Sequence, residues 1–239
     1  TMTHTNAGGT IYYTLDGTDP RVVGGAIGST AVPYTGPVIL ASSTRVKARV
    51  LSGSTWSARN EADFAISGVV PLRISELMYH PAPVSAAEAE AGFSNSDDFE
   101  FVELRNVGGI AINLAGLAFV NGITYTFPSG TLAPGERILV VKNLAAFNLR
   151  YGAVGRVAGN YSGNLNNAGE RIRLQDATGR TIFDFSYSDG WQPITDGFGF
   201  SLVVQDDTAP ASTWGSAASW RPSSGLGGSP GAANPTPPA

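Results

Sequence analysis

Turn-forming residues interrupt this chain at short intervals along nearly its whole length. Glycine and proline account for 30 and 15 of its 239 residues. Proline has no N–H to donate within a strand ladder, and glycine takes up the positive φ angles that tight turns need. Between these breaks lie runs of roughly four to eight residues in which apolar and polar side chains alternate. The pattern predicts an all-β protein built from many short strands.

The first such runs lie within residues 1–67 and predict a small all-β unit. They read GTIYYTL, PVILAS, TRVKARVL and EADFAIS. Asp16 and Gly17 follow the first run, and Asp-Gly is a strong turn signal because glycine accepts positive φ while the aspartate caps backbone amides. Residues 68–71 then predict a short linker.

A longer β unit is predicted for residues 72–220. Its eight strand-type runs are LRISELMY, FEFVELRNV, INLAGLAFV, ITYTFP, RILVVK, RIRLQDA, TIFDFSYS and FSLVVQD. Short strands separated by regular turn signals favour a β-sandwich. We therefore expect two tandem β-sandwiches.

Three segments depart from the strand pattern. The run SAAEAEAGF predicts one or two helical turns with Ser85 as the N-cap. The run NLAAFNLRYG predicts a short helix that begins after Asn143 and ends before Gly152. The Gly-, Ser-, Pro- and Ala-rich residues 221–239 predict a linker or tail.

The composition excludes several kinds of chemistry. Cysteine is absent, which excludes thiol catalysis, thiolate metal sites and disulfides. The 15 basic and 19 acidic residues give a net charge of −4 without a basic stripe, which argues against nucleic acid as a partner. No apolar run is long enough to span a bilayer, so direct membrane insertion is not expected. The early strand-like sequence and the final NPTPPA suggest a segment of a longer protein, with any export signal outside it.

Four motifs of the first unit occur in a characteristic order: IYYTLDGTDPR, YTGPVIL, STRVKARVLSGSTWS and EADFAI. In this order they resemble the chitobiase C-terminal and fibronectin-III-associated repeats. The resemblance implies a small β-sandwich over residues 1–67. The opening strand of that family would lie before Asn6 and is short or missing in this sequence.

The second unit carries a longer set of motifs: ISELMYHP, FEFVELRNVG, INLAGLAF, YTFPSGTLAPGERILVV, LNNAGERIRLQDATGRTIFDFSY, DGFGFSLV and GSPGAAN. Together they resemble the lamin tail domain, an immunoglobulin-like sandwich found in nuclear lamins and in many bacterial extracellular proteins. The resemblance implies an architecture and an extracellular or cell-surface setting, and it supplies no catalytic residues. In bacteria such pairs resemble the C-terminal parts of large surface proteins, some of which also carry a spore-coat-protein-H-like kinase domain.

Four acidic residues lie within the stretch DDFEFVELRN: Asp97, Asp98, Glu100 and Glu103. A general acid–base pair needs two carboxylates held close together in a cleft. Because side chains alternate between faces along a strand, Glu100 and Glu103 are expected on opposite faces. The stretch therefore predicts a half-buried strand rather than a catalytic pair.

Glu103 and Glu76 both have apolar neighbours and are expected to be partly buried. A buried carboxylate needs a partner. The expected partners are Arg73, Arg105, Arg171 or backbone amides of a neighbouring strand. We interpret both glutamates as structural anchors.

Calcium is the strongest chemical alternative for the acidic loops, because it prefers six to eight oxygen ligands. One candidate site combines Asp97, Asp98 and Glu100, and another combines Asp16 and Asp19. A third is the region of Asp189 and Asp196. None has EF-hand spacing, and at each individual loop an Asx-turn is the favoured explanation over calcium.

Other sites are less well supported. His4 and His80 are too few for a His-rich zinc site, the serines lack the context of a nucleophile elbow, and a phosphate loop is absent. Sugar rings could stack on exposed aromatic faces. The candidates are Trp56, Trp191, Trp214, Trp220, Tyr12, Tyr13 and Tyr34, of which Trp191, in a loop, is expected to be the most exposed.

These patterns favour a non-catalytic structural or adhesive segment of a larger secreted or cell-surface protein. Its expected partners are other domains of the parent protein, further copies of itself or a surface polysaccharide, and calcium is its possible cofactor. The alternative is a carbohydrate- or cell-wall-binding module appended to an enzyme, such as a spore-coat-kinase-like or hydrolase domain. A third hypothesis is that the lamin-tail-like unit contacts DNA or a nuclease partner, and the acidic balance argues against it.

Overall fold

The structure is a computed structural model of the 239-residue chain, and it describes residues 1–6, 8–40, 43–64 and 70–235. Strands in several sheets and two α-helices make up its regular structure within those ranges, apart from short 3-10 turns. The prediction of an all-β fold with short helical insertions is confirmed. Residues 68–69 of the predicted linker and residues 236–239 of the predicted tail lie outside the described residues. Within the described ranges, no helix has the length and apolar character needed to cross a bilayer.

One antiparallel sheet forms the first unit. Its strands are β1 (Thr10–Thr14), β2 (Val32–Pro33), β3 (Thr44–Ser52), β4 (Thr55–Trp56) and β5 (Asn60–Phe64). The order is β2-β1-β3, and both β4 and β5 pair with the long strand β3. Residues 37–40 of the run PVILAS do not form the expected strand, and residues 41–42 lie outside the described part of the chain.

The two faces of this sheet differ in polarity because consecutive side chains of β3 point in opposite directions. On one face, Arg45 binds Asp63 and Arg49 binds Asp19, each with a nitrogen–oxygen distance of 2.7 Å. The other face is mainly apolar and borders an open groove of about 200 Å³. The groove is lined from the sheet by Tyr13, Leu15, Val46, Ala48, Ala62 and Phe64, and from a loop by Tyr34, Val38 and Leu40.

The second unit contains a six-stranded, a four-stranded and a two-stranded sheet. Its strands are β6 (Leu72–Met78), β7 (Phe101–Asn106), β8 (Ile112–Asn113), β9 (Ala118–Asn121), β10 (Tyr125–Thr126), β11 (Thr131–Leu132), β12 (Arg137–Val141), β13 (Val157–Asn160), β14 (Arg171–Gln175), β15 (Thr181–Ser186), β16 (Leu202–Val204) and β17 (Trp220–Pro222). The large sheet has the order β13-β12-β7-β6-β16-β17, and the facing sheet has the order β10-β9-β14-β15. This is an immunoglobulin-like β-sandwich.

The six-stranded sheet is buried on both faces. Its inner face contributes residues such as Val102 and Leu104 to the main core, which also contains Phe119 and Ile172 of the facing sheet. A smaller apolar cluster lies on the outer face and consists of Met78, Phe101, Leu139, Val141 and Phe147. Strand alternation therefore sends neighbouring residues of β7 into two different cores.

A helix covers part of the outer face. Helix α2 spans Leu144–Tyr151, with Asn143 as its N-cap and Gly152 at its C-terminal end, as predicted. Its Phe147 packs edge-on against Phe101, with ring centroids 5.9 Å apart. The helix thus closes the smaller apolar cluster.

Helix α1 spans Ala86–Glu90 and begins with the predicted N-cap, Ser85. The Ser85 hydroxyl and the Glu88 carboxylate form a capping box. Glu88 also receives two hydrogen bonds from the Arg150 guanidinium, at 2.7 and 2.8 Å. Arg150 in turn lies 3.5 Å above the Phe99 ring. The two helical insertions are therefore joined by one arginine.

The C-terminal segment is part of the sandwich. Trp220 at the start of β17 is fully buried in the main core, and β17 extends the six-stranded sheet at its edge. Residues 223–235, here called the C-terminal strap, follow β17 and bond to the outer face of the same sheet. In this respect the structure differs from the prediction of a linker or tail from residue 221.

Candidate functional site

Two buried glutamates lie side by side beneath the strap. Glu76 of β6 and Glu103 of β7 are directly opposite each other in the antiparallel register, and each is 1% exposed. A β-bulge between Ile74 and Glu76 produces this pairing. It allows Ile74 and Leu77 both to face the main core, so Glu76 turns to the outer face.

Hydrogen bonds from main chain and hydroxyl groups hold both carboxylates. Glu76 Oε1 accepts from the Ser201 hydroxyl at 2.5 Å and from the Ser229 amide at 2.9 Å. Glu103 accepts from the Ser75 hydroxyl at 2.6 Å and from the Gly231 amide, also at 2.6 Å. The strap is therefore bonded to the sheet through its own backbone.

An arginine also approaches Glu103, but it is none of those expected. Arg137 Nε lies 3.1 Å from Glu103 Oε1. Of the predicted arginine partners, Arg73 donates to the carbonyls of Val70 and Leu72, Arg105 pairs with Asp207, and Arg171 pairs with Asp184. The expected backbone amide does occur, but it comes from the strap rather than from a neighbouring strand. Arg137 was missed because only the pairing of β12 with β7 brings it beside Glu103.

Burial controls the protonation of the pair. Burial raises the pKa of Glu76 from 4.5 to about 7; the Ser201 hydroxyl opposes this rise and the adjacent Glu103 carboxylate adds to it. Burial also raises the pKa of Glu103, although the Ser75 hydroxyl, the Gly231 amide and Arg137 oppose the change. The two groups can therefore hold a proton near neutral pH, beneath the strap rather than in an open cleft.

Glu100 lies on the opposite side of the sheet, as alternation predicted. Its Oε2 accepts from the Tyr161 hydroxyl at 2.6 Å and from the Leu165 amide at 2.9 Å. Tyr161 and Leu165 belong to the main core, whereas Phe101 and Glu103 face outward. Burial raises the pKa of Glu100 to about 8. Glu100 and Glu103 are therefore not brought together as a catalytic pair.

The predicted calcium ligands Asp97, Asp98 and Glu100 bind different partners in the structure. Asp97 Oδ2 accepts from the Asn164 side chain at 3.1 Å, and Asp98 Oδ1 accepts from Asn143 at 3.3 Å. Glu100 points into the main core, as described above. Calcium binding here stays a prediction.

The other predicted calcium loops use their acids in local bonds. Asp16 caps the amide and hydroxyl of Thr18, and Asp19 is held by Arg49. Asp196 lies 2.6 Å from His80 Nδ1, whereas Asp189 accepts from the Gly190 amide. Over the ranges that the structure describes, no three His, Asp or Glu side chains come together in a way that could hold a metal ion.

The tryptophans divide between core and surface. Trp214 and Trp220 are fully buried in the main core. Trp191 is half-buried and packs on Trp220 with ring centroids 6.2 Å apart. Trp56 donates to the Gly25 carbonyl at 2.6 Å. Trp191 therefore keeps part of its side chain exposed to a ligand.

Two facing sheets with a shared core, helices only as insertions and acids held by internal bonds define the second unit as an immunoglobulin-like β-sandwich, which the single sheet of the first unit precedes. The family model described as Lamin Tail Domain matches residues 67–189, which is half of the chain, so the chain belongs to the lamin tail domain family. The model described as Fn3 associated matches residues 1–58. Both resemblances drawn from the sequence are confirmed.

Two further comparisons complete this picture. No curated protein matches the chain. One solved structure that is similar to it is that of a DUF4876 family protein from Bacteroides thetaiotaomicron VPI-5482. It has a TM-score of 0.37 and 11% identity, with 90% of this chain and 87% of that chain covered.

Proposed function

We propose that this chain is a non-catalytic structural segment of a larger secreted or cell-surface protein, in which it spaces or assembles β-sandwich units. The observation that carries this proposal is the use of the buried carboxylates. Glu76, Glu100 and Glu103 each accept hydrogen bonds from the chain's own hydroxyl and amide groups. Groups committed to internal bonds stabilise a fold and are not free to act on a substrate. Both matched families are structural rather than catalytic ones.

An exposed edge strand supports the assembly part of the proposal. Strand β5 pairs with β3 on one side, and all five of its residues are exposed. Its Phe64 lies beside the apolar groove and is 49% exposed. Edge strands with an apolar side chain readily pair with another chain. Calcium bound at the acidic loops would stiffen such an assembly.

Light scattering of the purified chain over a range of concentrations tests this role, with calcium and with a chelator. We expect particle mass to rise with concentration, and Phe64→Lys to reduce the rise because it places a charge at the edge. Leu149→Lys on helix α2, a similarly exposed leucine away from any sheet edge, is the matched control. A chain that stays monomeric at every concentration, or that assembles equally well with Phe64→Lys, contradicts the proposal.

A glycan-binding role is the second candidate, and the half-exposed Trp191 supports it. An indole that packs on Trp220 with a 31° tilt and stays partly exposed is a suitable platform for a sugar ring. Retention on insoluble polysaccharide, lost on Trp191→Ala, is the expected result for this function. Unchanged retention of the variant would remove Trp191 from it.

A further inference from the structure

The middle of the strap, residues 227–232, lies directly on the two buried glutamates. Two of its amides donate to Glu76 and Glu103, at 2.9 and 2.6 Å. A Cβ added to Gly228 would lie 1.8 Å from Glu76 Oε1, so the backbone itself is in contact with that carboxylate. Both glutamates are 1% exposed, whereas the strap residues above them are half-buried or exposed. The strap therefore separates the pair from solvent.

The strap is built as a loop whose ends are tied together. Asn234 Oδ1 accepts from the Ser224 amide at 3.1 Å. Between these ends, Gly227 and Gly228 have φ of +82° and +73°, a conformation that glycine adopts without steric cost. Besides its two bonds to the glutamates, the middle donates to the Gly199 carbonyl at 2.7 Å. The middle can therefore lift while the ends stay in place.

Two features of the pair oppose its full ionisation beneath the strap. Glu76 and Glu103 are directly opposite each other in the antiparallel register, so two charges would repel. Glu76 Oε2 has no hydrogen-bond partner among the described residues, so a charge on it would lack a donor. Burial raises the pKa of Glu76 to about 7 even though the Ser201 hydroxyl and the Ser229 amide act in the other direction. The seated strap therefore favours a pair that keeps a proton.

The other charged or ionisable groups around the pair come from several elements. Arg137 of β12 lies 3.1 Å from Glu103 Oε1 and offsets part of the charge of the pair. Tyr151 of α2 is close enough to Glu76 for their charges to interact, and burial raises the pKa of Tyr151, which keeps its hydroxyl neutral. The strap, SSGLGGSPGAANP, has no ionisable side chain. The wall beside the pair adds four charged side chains, namely Arg105, Asp206, Asp207 and Arg221.

We propose that the strap is a pH-operated cover, seated while the glutamate pair holds a proton and released when both carboxylates are charged. Lifting the middle lets water solvate the carboxylates, which lowers the cost of charging them. The open state therefore binds the proton more weakly than the seated state does. Rising pH consequently favours opening.

Opening changes the outer face of the six-stranded sheet. The strap forms one wall of a groove of about 670 Å³, and the opposite side includes Met78, Tyr151 and Val154. Lifting the middle removes that wall and uncovers Met78. The device goes beyond the structural role proposed above and does not depend on assembly, because all of its groups belong to one chain.

Amide exchange of the full chain from pH 6 to pH 8, followed by NMR, tests the cover. Each exchange rate is divided by the intrinsic rate at that pH. If opening returns the pKa of Glu76 from about 7 to 4.5, the normalised exchange of the Ser229 and Gly231 amides should rise about ten-fold. The amides of β7 should exchange more slowly at each pH, because the opening is local.

Variants assign the response to the pair. Glu76→Gln removes one charge and keeps an oxygen acceptor, so it should reduce the rise, and Glu76→Gln combined with Glu103→Gln should abolish it. Glu100→Gln is the matched control. Glu100 is also a buried carboxyl with a raised pKa, but it bonds to Tyr161 and Leu165 rather than to the strap. This variant should keep the rise of the parent.

The carboxyl ¹³C shifts of Glu76 and Glu103 in the parent give a measurement that needs no variant, and thermal melting checks that each variant is folded. The proposal is overturned if both carboxyls titrate below pH 5, or if strap exchange changes less than about two-fold from pH 6 to pH 8. It is also overturned if the double variant opens as the parent does. Loss of the rise in Glu100→Gln would overturn it as well, since the response would then belong to the whole unit.

Discussion

Single side chains with unusual burial hold the second unit together. Asn106 is fully buried at the end of β7, where its Nδ2 donates to the carbonyls of Ile110 and Leu132, both at 2.8 Å. Its Oδ1 accepts from the Gly108 amide at 2.9 Å. One amide side chain thus ties a turn to β11. These three hydrogen bonds satisfy loop carbonyl and amide groups that have no strand partner here.

Replacing Asn106 with alanine should therefore destabilise the second unit strongly. The change leaves the buried Leu132 carbonyl and the part-buried Ile110 carbonyl and Gly108 amide without these partners, and we expect a loss of roughly 2–4 kcal/mol in the free energy of unfolding. Urea denaturation followed by tryptophan fluorescence measures it. Asn121→Ala, at an exposed position of β9, is the matched control and should change stability by less than about 0.5 kcal/mol. Equal stability of the two variants would contradict this role of Asn106.

The buried glutamates predict how stability depends on pH. The folded-state pKa of Glu76 is about 7 and that of Glu100 about 8, both above the ordinary value of 4.5. The folded state therefore binds these protons more tightly than the unfolded state does. The stabilisation is complete below about pH 4.5 and is lost as the pH rises through about 7 and 8. Arg150 lowers the pKa of Glu88 to about 2. Glu88 therefore stabilises the folded state above about pH 4.5, and this stabilisation is lost as the pH falls below 4.5.

We accordingly expect the melting temperature of the second unit to be higher at pH 5 than at pH 9. Glu76 alone would contribute up to ~3 kcal/mol to the difference in unfolding free energy. Calorimetry of the parent and of Glu76→Gln and Glu100→Gln measures the effect, and each variant should flatten the curve. A melting temperature that rises steadily from pH 5 to pH 9 would show that these carboxylates are charged in the folded state.

Among the elements, the strap is held by an unusual combination of forces. Most of its residues from 224 onward are half-buried or exposed, and Leu226 is 72% exposed, so apolar burial contributes little. Backbone donors to the two glutamates and close contact with Gly155 hold it instead. A Cβ on Gly231 would lie 2.4 Å from the Gly155 Cα, and Gly231 has φ of +82°. Only glycine fits there, for both reasons.

Gly231→Ala should release the strap without unfolding the sandwich. The steric conflict and the strained φ together should destabilise the seated strap by about 1–3 kcal/mol. Hydrogen exchange should then show faster exchange of the Ser229 and Gly231 amides, with β7 still protected. Gly215→Ala has nothing within 4 Å of the new Cβ and serves as the control. If the Ser229 amide exchanged as slowly in Gly231→Ala as in the control, the strap would not depend on this contact.

For the whole molecule, the contrast between the two units is one of core size. Ile11 is the one large apolar side chain that is buried within the described part of residues 1–64. The second unit has an extended core with two fully buried tryptophans. Stability rises with the apolar surface that a unit removes from water. The first unit should therefore be the less stable one.

Calorimetry of the full chain should show two transitions, the lower one from the first unit. Ile11→Ala should lower only the first transition, because it removes that unit's buried side chain. Leu104→Ala should lower only the second, with a loss of about 2–5 kcal/mol. Hydrogen exchange measured between the two transitions assigns each one to its residues. A single transition that both variants shift equally would show that the units unfold together.

Short-range patterns determined much of this protein directly from the sequence. Period-two alternation gave the all-β class and the opposite orientations of Glu100 and Glu103. The N-caps Ser85 and Asn143 marked both helices, because a cap depends only on residues one turn away. The motifs also indicated the family. The expected strand over residues 37–42 does not form where the structure describes it, since a short apolar run does not by itself secure a pairing partner.

Contacts between residues far apart in the sequence follow from the strand order and register of the folded chain. The bulge in β6 places Glu76 beside Glu103, and the return of the chain places Ser229 on Glu76 across 153 positions. A Gly- and Pro-rich composition predicts a tail, because it lacks side chains to bury. The strap is nevertheless seated through its backbone N–H groups, which every non-proline residue has and which composition therefore does not reveal. Those contacts, and the cavity they enclose, depend on strand order and register rather than on any local run of residues.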